Sequence, residues 1–281
     1  MAEYSVDRFV ELYARRASGM SASEVRALFA VASRPEVVSL AGGMPFVQAL
    51  PNRDILDVVA EVLDEHGSMA LQYGGGQGHV ALRERLLPLM AAEGVEADPD
   101  DMVITAGAQQ ALDLVAKIFV DPGDAIVVEA PAYVGALSAF NVYEPRYLTI
   151  ELDDEGMVVD RLEEALVKGA RPKFVYTVPN FANPAGVTMS LARREHLIAL
   201  CREASIPVVE DNPYGLLRFE GEPLPCLWSL DPENVIYVGT VSRSSLPASA
   251  WDGPSRRRAP CSASCWRRRR RICAARRSPC W

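Results

Sequence analysis

Short runs of apolar, mostly β-branched residues alternate with helical segments along most of this 281-residue chain. Each run is apolar at successive positions, which is typical of a strand that is buried on both faces. Such strands, separated by helices, predict an α/β fold: a three-layer, mainly parallel sheet with helices on both faces. The predicted strands are Met102–Thr105, Ala125–Glu129, Tyr147–Ile150, Phe174–Thr177, Pro207–Glu210 and Val235–Val238.

Helices are predicted between these strands and ahead of them. Ser21 and Glu24 form a capping box within a helical stretch, Arg8–Ala32. Asn52 can cap a helix whose apolar residues share one face: Ile55, Val58, Val59, Val62 and Leu63. The other predicted helices are Ala81–Ala92, Ala108–Phe119, Tyr133–Phe140, Arg161–Val167 and Leu191–Ala204.

The net charge of −8 conceals a sharp division of the chain. Residues 244–281 hold ten arginines and one acid, which leaves 19 basic and 36 acidic residues, a net −17, before them. A body this acidic argues against nucleic-acid binding. No apolar run is long enough to span a bilayer, and the N-terminus lacks the pattern of a secretion signal, so we expect a cytoplasmic protein with no membrane partner. The cysteines show no metal-ligand spacing, and we expect no metal.

Four groups of residues that can carry chemistry follow predicted strands, where ligands of parallel α/β sheets bind. Gly107, Ala108 and Gln109 open a helix whose free amides can hold a phosphate, although a tight strand-to-helix turn has the same pattern. Tyr133 offers a ring that can stack on a flat heterocycle, or a core tyrosine.

The other two groups lie farther along the chain. Asn183 belongs to the turn-rich loop at 179–186 and can offer an amide to a ligand. Asp211 and Tyr214 follow an apolar strand; the aspartate can hold a pyridine nitrogen protonated, whereas a helix cap is the simpler role for it. Each group is weak evidence alone, and their order and spacing together are much more specific.

These four groups, in this order, resemble the class I/II aminotransferases of fold type I, which use pyridoxal phosphate (PLP). The 2-aminoadipate-type and regulator-linked (MocR-like) group is the most similar. The segments Leu40–Pro45, Leu71–Gly74 and Val238–Ser242 are also similar in sequence to this family, and the resemblance covers residues 20–243. It implies transfer of an amino group between an amino acid and a 2-oxo acid.

The resemblance implies a role for each matching residue. Gly107, Ala108 and Gln109 would cradle the phosphate, with Thr240 and Ser242 as further ligands. Tyr133 would stack on the pyridine ring and Asp211 would hold its nitrogen. Asn183 and Tyr214 would contact the phenolic oxygen of the cofactor. Gly43, near the substrate carboxylate, and Asn183 would bind the substrate. Tyr73 would reach the phosphate of the neighbouring subunit in a homodimer.

The chain departs from the family at Arg243, where the family has the lysine that forms the Schiff base with PLP. Arginine is protonated at all accessible pH values, so it can neither form that bond readily nor act as a base. We therefore expect Arg243 to be non-functional and the chain as written to be defective in transamination.

A shift of reading frame explains both Arg243 and the tail. If one adenine is restored before an AGG codon at 243, the codon becomes lysine, and plausible codons downstream read Val-Leu-Ser-Pro and then Gly-Leu-Arg-Leu-Gly-Trp. That string resembles the segment on the C-terminal side of the lysine in the family. We interpret residues 243–281 as a frameshifted, disordered tail in place of the small C-terminal domain, after an N-terminal helical segment (1–45) and an incomplete PLP-binding large domain (46–242).

Two other classes of function remain open. One is a non-catalytic, ligand-sensing domain like the effector domains of certain regulators; the other is a lyase or decarboxylase of the same fold type. The resemblance to the adipate-type group also implies that Arg15 or Arg26 meets a distal substrate carboxylate, but surface solvation is the simpler explanation for each.

Overall fold

The structure is a computed structural model that describes residues 8–19, 34, 36–37 and 52–242, and the backbone of residues 262–265. The strands of this described part are β1 (Met102–Thr105), β2 (Ala125–Ala130), β3 (Arg146–Asp153), β4 (Gly156–Met157), β5 (Val175–Thr177), β6 (Val208–Asn212), β7 (Val235–Thr240) and β8 (Ser262–Cys265). They form one sheet in the order β1-β8-β7-β6-β5-β2-β3-β4.

The helices are α1 (Asn52–His66), α2 (Val80–Ala91), α3 (Ala108–Phe119), α4 (Val134–Asn141), α5 (Val159–Val167), α6 (Leu191–Glu203) and α7 (Leu227–Leu230). Local chemistry sets several of their starts. The hydroxyl of Ser190 accepts a hydrogen bond from the Arg193 amide and so caps α6. The buried carboxylate of Glu210 accepts the Leu227 and Trp228 amides at the start of α7, at 3.0 and 2.9 Å.

Strand directions confirm the prediction of a mainly parallel sheet. The pairs β2–β3, β2–β5, β5–β6 and β6–β7 are parallel. The exceptions are β4, antiparallel to β3, and β8, antiparallel to both of its neighbours. The carboxyl ends of β2, β5, β6 and β7 therefore share one edge of the sheet, where we expect the ligand.

Two apolar clusters cover the two faces of the sheet and complete the three layers. One joins α2, α5, α6 and α7 to strand residues such as Val127 and Tyr237. The other joins α3 and α4 to residues such as Ile126 and Val128. Because side chains alternate between faces along a strand, Val127 and Ile126 belong to different clusters.

The N-terminal region differs from the helix predicted over Arg8–Ala32. Residues 8–19 contain two short 3-10 segments, Val10–Leu12 and Arg15–Gly19, and the capping box at Ser21 and Glu24 lies outside the described residues. Helix α1 forms as predicted, although its apolar residues Ile55, Leu56, Val59, Val62 and Leu63 are exposed. In the described part of the chain no helix is both long and apolar enough to cross a membrane.

The tail differs from the expectation of a segment without order. Residues 262–265 form β8, which lies between β1 and β7 and pairs with Met102–Thr105 on one side and Tyr237–Thr240 on the other. The sequence Ser-Ala-Ser-Cys has no apolar run, so nothing in the pattern indicated a strand. Backbone pairing on both edges is what holds it in the sheet.

Candidate functional site

The turn between β1 and α3 presents backbone amides at a helix start. Gly107 has a φ of 91°, a conformation that glycine adopts without strain. Its amide donates to the Thr105 carbonyl, and the Ala106 amide donates to the side chain of Gln110. The first amides of a helix lack intrahelical acceptors, so those of Ala108 and Gln109 are the ones left for an anion.

Tyr133 precedes α4, next to the end of β2, with its half-buried ring against the cluster of α3 and α4. The ring lies over Gly135, where an added Cβ would overlap its Cζ and hydroxyl atoms. The side chain of Gln109 donates to the Gly135 carbonyl. Through Gly135, this bond links the turn at Gly107 to Tyr133, so the first two predicted groups are neighbours.

Asp211 lies at the end of β6 and is buried, with 3% of its surface exposed. The hydroxyl of Tyr176, on β5, donates to its Oδ2 at 2.8 Å. Burial raises the pKa of Asp211 to about 6, and the Tyr176 hydrogen bond opposes the rise because it favours the ionised form. A cationic group opposite this carboxylate would relieve the cost of its burial.

Glu129, at the end of β2, is a second buried carboxylate near the same edge of the sheet as Asp211. It accepts hydrogen bonds from the Thr177 hydroxyl and, at 3.1 Å, from the Val178 amide. Burial is the main cause that raises the pKa of Glu129 to about 7, and the charge of Asp211 adds to it. These bonds tie β2 to β5 next to the candidate site.

Asn183 and Tyr214 meet although 31 residues separate them. The Asn183 side-chain amide donates to the Tyr214 hydroxyl at 3.3 Å. Asn183 follows β5 and Tyr214 follows β6, so the parallel pairing of these strands brings the two loops together. The pair can place two polar groups on one oxygen of a ligand, as the resemblance implies.

Arg194, on α6, holds the loop of Asn183 from beneath. Its guanidinium is fully buried and donates to the carbonyls of Met189, Pro179 and Pro225 at 2.9 Å and to Asn180 Oδ1 at 2.8 Å. Burial lowers the pKa of Arg194. The side chain thus fixes the positions of three chain segments at once.

A further buried network lies beside Asp211 on the same strand. The Asn212 amide donates to Glu93 Oε1 at 3.0 Å, and the Tyr237 hydroxyl donates to Glu93 Oε2. Asn180 donates to Asn212 Oδ1 at 2.9 Å, which connects this network to Arg194. Burial raises the pKa of Glu93 to about 7.

Thr240 is the last residue of β7, which pairs with β6, and Ser242 follows two residues later. Their hydroxyl oxygens lie 2.7 Å apart, and the Ser242 amide donates to Thr240 Oγ1 at 3.2 Å. This arrangement offers two hydroxyls at the shared edge of the sheet. Both residues remain candidates for binding a phosphate.

Other predicted residues stay apart or lie outside the described part. Tyr73 is fully exposed, so it contributes nothing to the site within its own chain. Arg15 pairs with Glu144 on the surface, with Nη2 and Oε2 2.6 Å apart. Gly43, Arg26 and Arg243 lie outside the described residues.

Sequence reasoning missed Tyr176 and Arg194. Tyr176 lies in a continuous apolar strand and reads as a core residue, yet the register of β5 against β6 places it near Asp211. Arg194 lies on a helix where periodicity predicts a solvated charge. Only the surrounding carbonyls, supplied by loops, reveal that it is buried.

The donor and acceptor set fits PLP. Within residues 52–242, Tyr176 is the side chain that donates to Asp211, so the second carboxylate oxygen can accept a protonated ring nitrogen. Asn183 and Tyr214 suit the phenolic oxygen, and the helix start at Gly107 suits the phosphate. Tyr133 follows β2, Asn183 follows β5 and Asp211 lies at the end of β6. These three strands are neighbours in the sheet.

Comparison with known proteins yields related enzymes. The chain is 45% identical over 245 residues to aromatic-amino-acid aminotransferase 1 of Thermococcus litoralis, covering 85% of this chain and 59% of that protein. It is 39% identical over 241 residues to 2-aminoadipate transaminase of Thermus thermophilus, covering 84% and 59%. The chain thus spans about three fifths of these relatives.

A solved structure gives the same relationship. Pyrococcus horikoshii kynurenine aminotransferase, in complex with PMP, superposes with a TM-score of 0.77 at 45% identity, covering 84% of this chain and 60% of that one. The family model of aminotransferase class I and II matches residues 37–246. On this evidence the chain belongs to the class I and II aminotransferase family.

Proposed function

We propose that residues 46–242 form the PLP-binding large domain of an aminotransferase. The reaction would move an amino group between an amino acid and a 2-oxo acid. The observation that carries this proposal is the buried carboxylate of Asp211, which accepts the Tyr176 hydroxyl and lies at the end of the strand that leads to Tyr214 and its contact with Asn183. The names of the relatives and the PMP in the solved structure support it.

Each residue would hold a defined part of the cofactor, whose ring supplies the electron sink that amino-group transfer needs. Asp211 would hold a proton at the ring nitrogen. Asn183 and Tyr214 would fix the phenolic oxygen. Tyr133 would cover one face of the ring and exclude water from it.

The phosphate would occupy the start of α3, where the amides of Ala108 and Gln109 belong to the first helical turn and have no intrahelical acceptor. The hydroxyls of Thr240 and Ser242 would add donors from the end of β7. Phosphate contacts of this kind anchor a cofactor without taking part in the chemistry at the ring. We therefore expect binding of the cofactor to survive the loss of a covalent bond to the chain.

We propose further that this chain binds PLP without completing transamination. Arg243 stands where the family has its lysine, and an arginine can neither make the covalent bond nor shuttle a proton. A shifted reading frame after Ser242 accounts for this residue. A genomic read that restores lysine at codon 243 would support that origin, and one that keeps the arginine codon and the tail would rule it out.

A second copy of the chain is the expected partner. Five apolar residues of α1 are exposed (Ile55, Leu56, Val59, Val62 and Leu63), and Tyr73, which follows this helix, is exposed in full. A tyrosine whose ring is uncovered in its own chain is suited to complete the phosphate site of a neighbour. We propose a homodimer in which α1 and Tyr73 face the other subunit.

Equilibrium dialysis with PLP tests the cofactor site. We expect saturable binding by the unaltered chain and a loss of at least about tenfold in affinity for Asp211→Ala, which removes the partner of the ring nitrogen. Asp154→Ala, an exposed acid on the turn after β3, is the matched control and should bind normally. Equal binding by both variants would overturn the assignment.

Borohydride reduction tests the expected defect. After reduction, unfolding and dialysis, we expect the unaltered chain to retain no more pyridoxyl label than Asp211→Ala, because no lysine lies at the family position. Stoichiometric label at one peptide would contradict the expectation. Binding without labelling would also agree with a ligand-sensing domain. That is the second candidate function, and Arg243 in place of the family lysine favours it.

A further inference from the structure

Tyr176 connects a buried aromatic cluster to the carboxylate of Asp211. The tyrosine is fully buried, and its hydroxyl donates to Asp211 Oδ2 at 2.8 Å. The two residues lie on adjacent parallel strands, β5 and β6. The bond engages Oδ2, and Oδ1 is the oxygen of this carboxylate that the tyrosine does not contact.

The ring of Tyr176 is fixed by its neighbours. It packs edge-to-face on Phe140, with the ring centroids 5.4 Å apart, and Phe140 packs in the same way on Phe174 at 5.5 Å. Phe140 belongs to α4, the helix that begins after Tyr133. The hydroxyl direction is therefore set by packing that also supports the stacking residue.

The charges around this contact favour a neutral tyrosine. Burial and the charge of Asp211 raise the pKa of Tyr176 well above its usual value, so its hydroxyl is a donor at every working pH. Among the described residues, two further titratable groups act on Tyr176: Glu129, from β2, which also acts on Asp211, and Tyr133, before α4. On the other side β7 places an uncharged residue, Val238, beside Asp211.

We infer that Tyr176 is a positioning residue that holds one oxygen of Asp211, turns the other toward the cofactor's ring nitrogen and keeps the carboxylate ionised. The inference rests on the proposed function, because it assigns a role toward the same bound cofactor. Without the hydroxyl, no hydrogen bond from Tyr176 offsets the effect of burial on the pKa of Asp211, and this pKa should rise further. The ring nitrogen would then lose its anionic partner near neutral pH.

Pyridoxamine phosphate (PMP) is the probe, because its binding needs no lysine. Its affinity is measured across pH for the unaltered chain and for Tyr176→Phe, beside a 1-deaza analogue that has CH in place of the ring nitrogen. We expect Tyr176→Phe to lower the ratio of PMP affinity to analogue affinity about tenfold at neutral pH. The acid limb of PMP binding, the pH range over which the affinity falls as the pH is lowered, should move to higher pH.

Tyr147→Phe is the matched control. Tyr147 packs against the same cluster, and its hydroxyl contacts Leu137 and Asn141 instead of Asp211. We expect this variant to keep the affinity ratio and the pH profile of the unaltered chain. If Tyr176→Phe behaves as Tyr147→Phe does, the inference is wrong, whereas absence of PMP binding by the unaltered chain would overturn the proposed function itself.

A second measurement does not depend on the folding of Tyr176→Phe. Replacement of all tyrosines by 3-fluorotyrosine makes each hydroxyl a stronger donor without removing a heavy atom. The acid limb of PMP binding should then move to lower pH, while binding of the deaza analogue, which lacks the ring nitrogen, shows no such displacement. An unmoved limb would contradict the role given to Tyr176.

Discussion

Replacement of Arg194 by methionine tests how the loop of Asn183 is held. The change keeps a long, flexible side chain and removes a guanidinium that is fully buried. Four acceptors lose their donor: the carbonyls of three loop residues and the side-chain oxygen of Asn180. None of these acceptors gains a water molecule in exchange unless the loops move.

The magnitude depends on the four lost bonds and one opposing effect. A hydrogen bond from a charged group contributes about 1.5–3 kcal/mol, so their sum exceeds the stability of many domains. Removal of the buried charge also removes its desolvation cost, which offsets several kcal/mol of that sum. We expect the free energy of unfolding to fall by about 3–5 kcal/mol, as is usual when one partner of a buried charged contact is deleted.

Urea unfolding followed by circular dichroism measures the loss. For a slope of about 2–3 kcal/mol/M, the midpoint should fall by about 1–2 M. The control is Arg202→Met on the same helix, whose side chain is 60% exposed and donates to only two of the described groups, the buried Asp231 carboxylate and the Leu230 carbonyl; it should cost about 1–2 kcal/mol. A midpoint for Arg194→Met that matches the control would refute the view that this side chain holds the loops.

Other parts of the molecule give three further predictions. Gly135→Ala should weaken PMP binding, because its Cβ would displace the stacking ring, whereas Gly75→Ala, in open space, should leave dialysis results unchanged. Val59→Lys on the exposed face of α1 should shift the sedimentation equilibrium of the protein toward monomer. Val167→Lys, at an exposed position of α5, should not, and equal average masses for the two variants would refute the proposed interface. Burial raises the pKa values of Glu93, Glu129 and Glu210 to about 7, so the folded state retains protons that the unfolded state releases. The free energy of unfolding should therefore fall as pH rises from about 4.5 to about 7, and a rise over this range would contradict the burial of these acids.

The parallel core of the fold could be predicted from sequence. Strands such as Ala125–Ala130 are buried on both faces, so their apolar runs are unbroken and easily recognised. The functional groups follow the strands, and the topology of a parallel sheet then dictates that they meet at one edge. The contact between Asn183 and Tyr214 is the direct result.

Features that depend on distant partners could not be predicted. The two-residue strand β4 is too short to show any period, and β8 lacks an apolar run. The hydroxyl of Tyr176 and the guanidinium of Arg194 acquire their roles from residues far along the chain. Local pattern carries no information about such partners, which only the register of strands and the path of loops supply.

The place of β8 has a consequence for the order in which the protein can be assembled on the ribosome. In the described part of the chain, β1 (residues 102–105) pairs in the sheet with residues 262–265 alone, which are synthesised after all the other described strands. Strands β2, β5, β6 and β7 can associate as soon as residue 240 has emerged, but β1 must wait until residue 265 has emerged. Nascent chains halted before residue 262 should therefore protect the amides of β6 from exchange while those of β1 stay open.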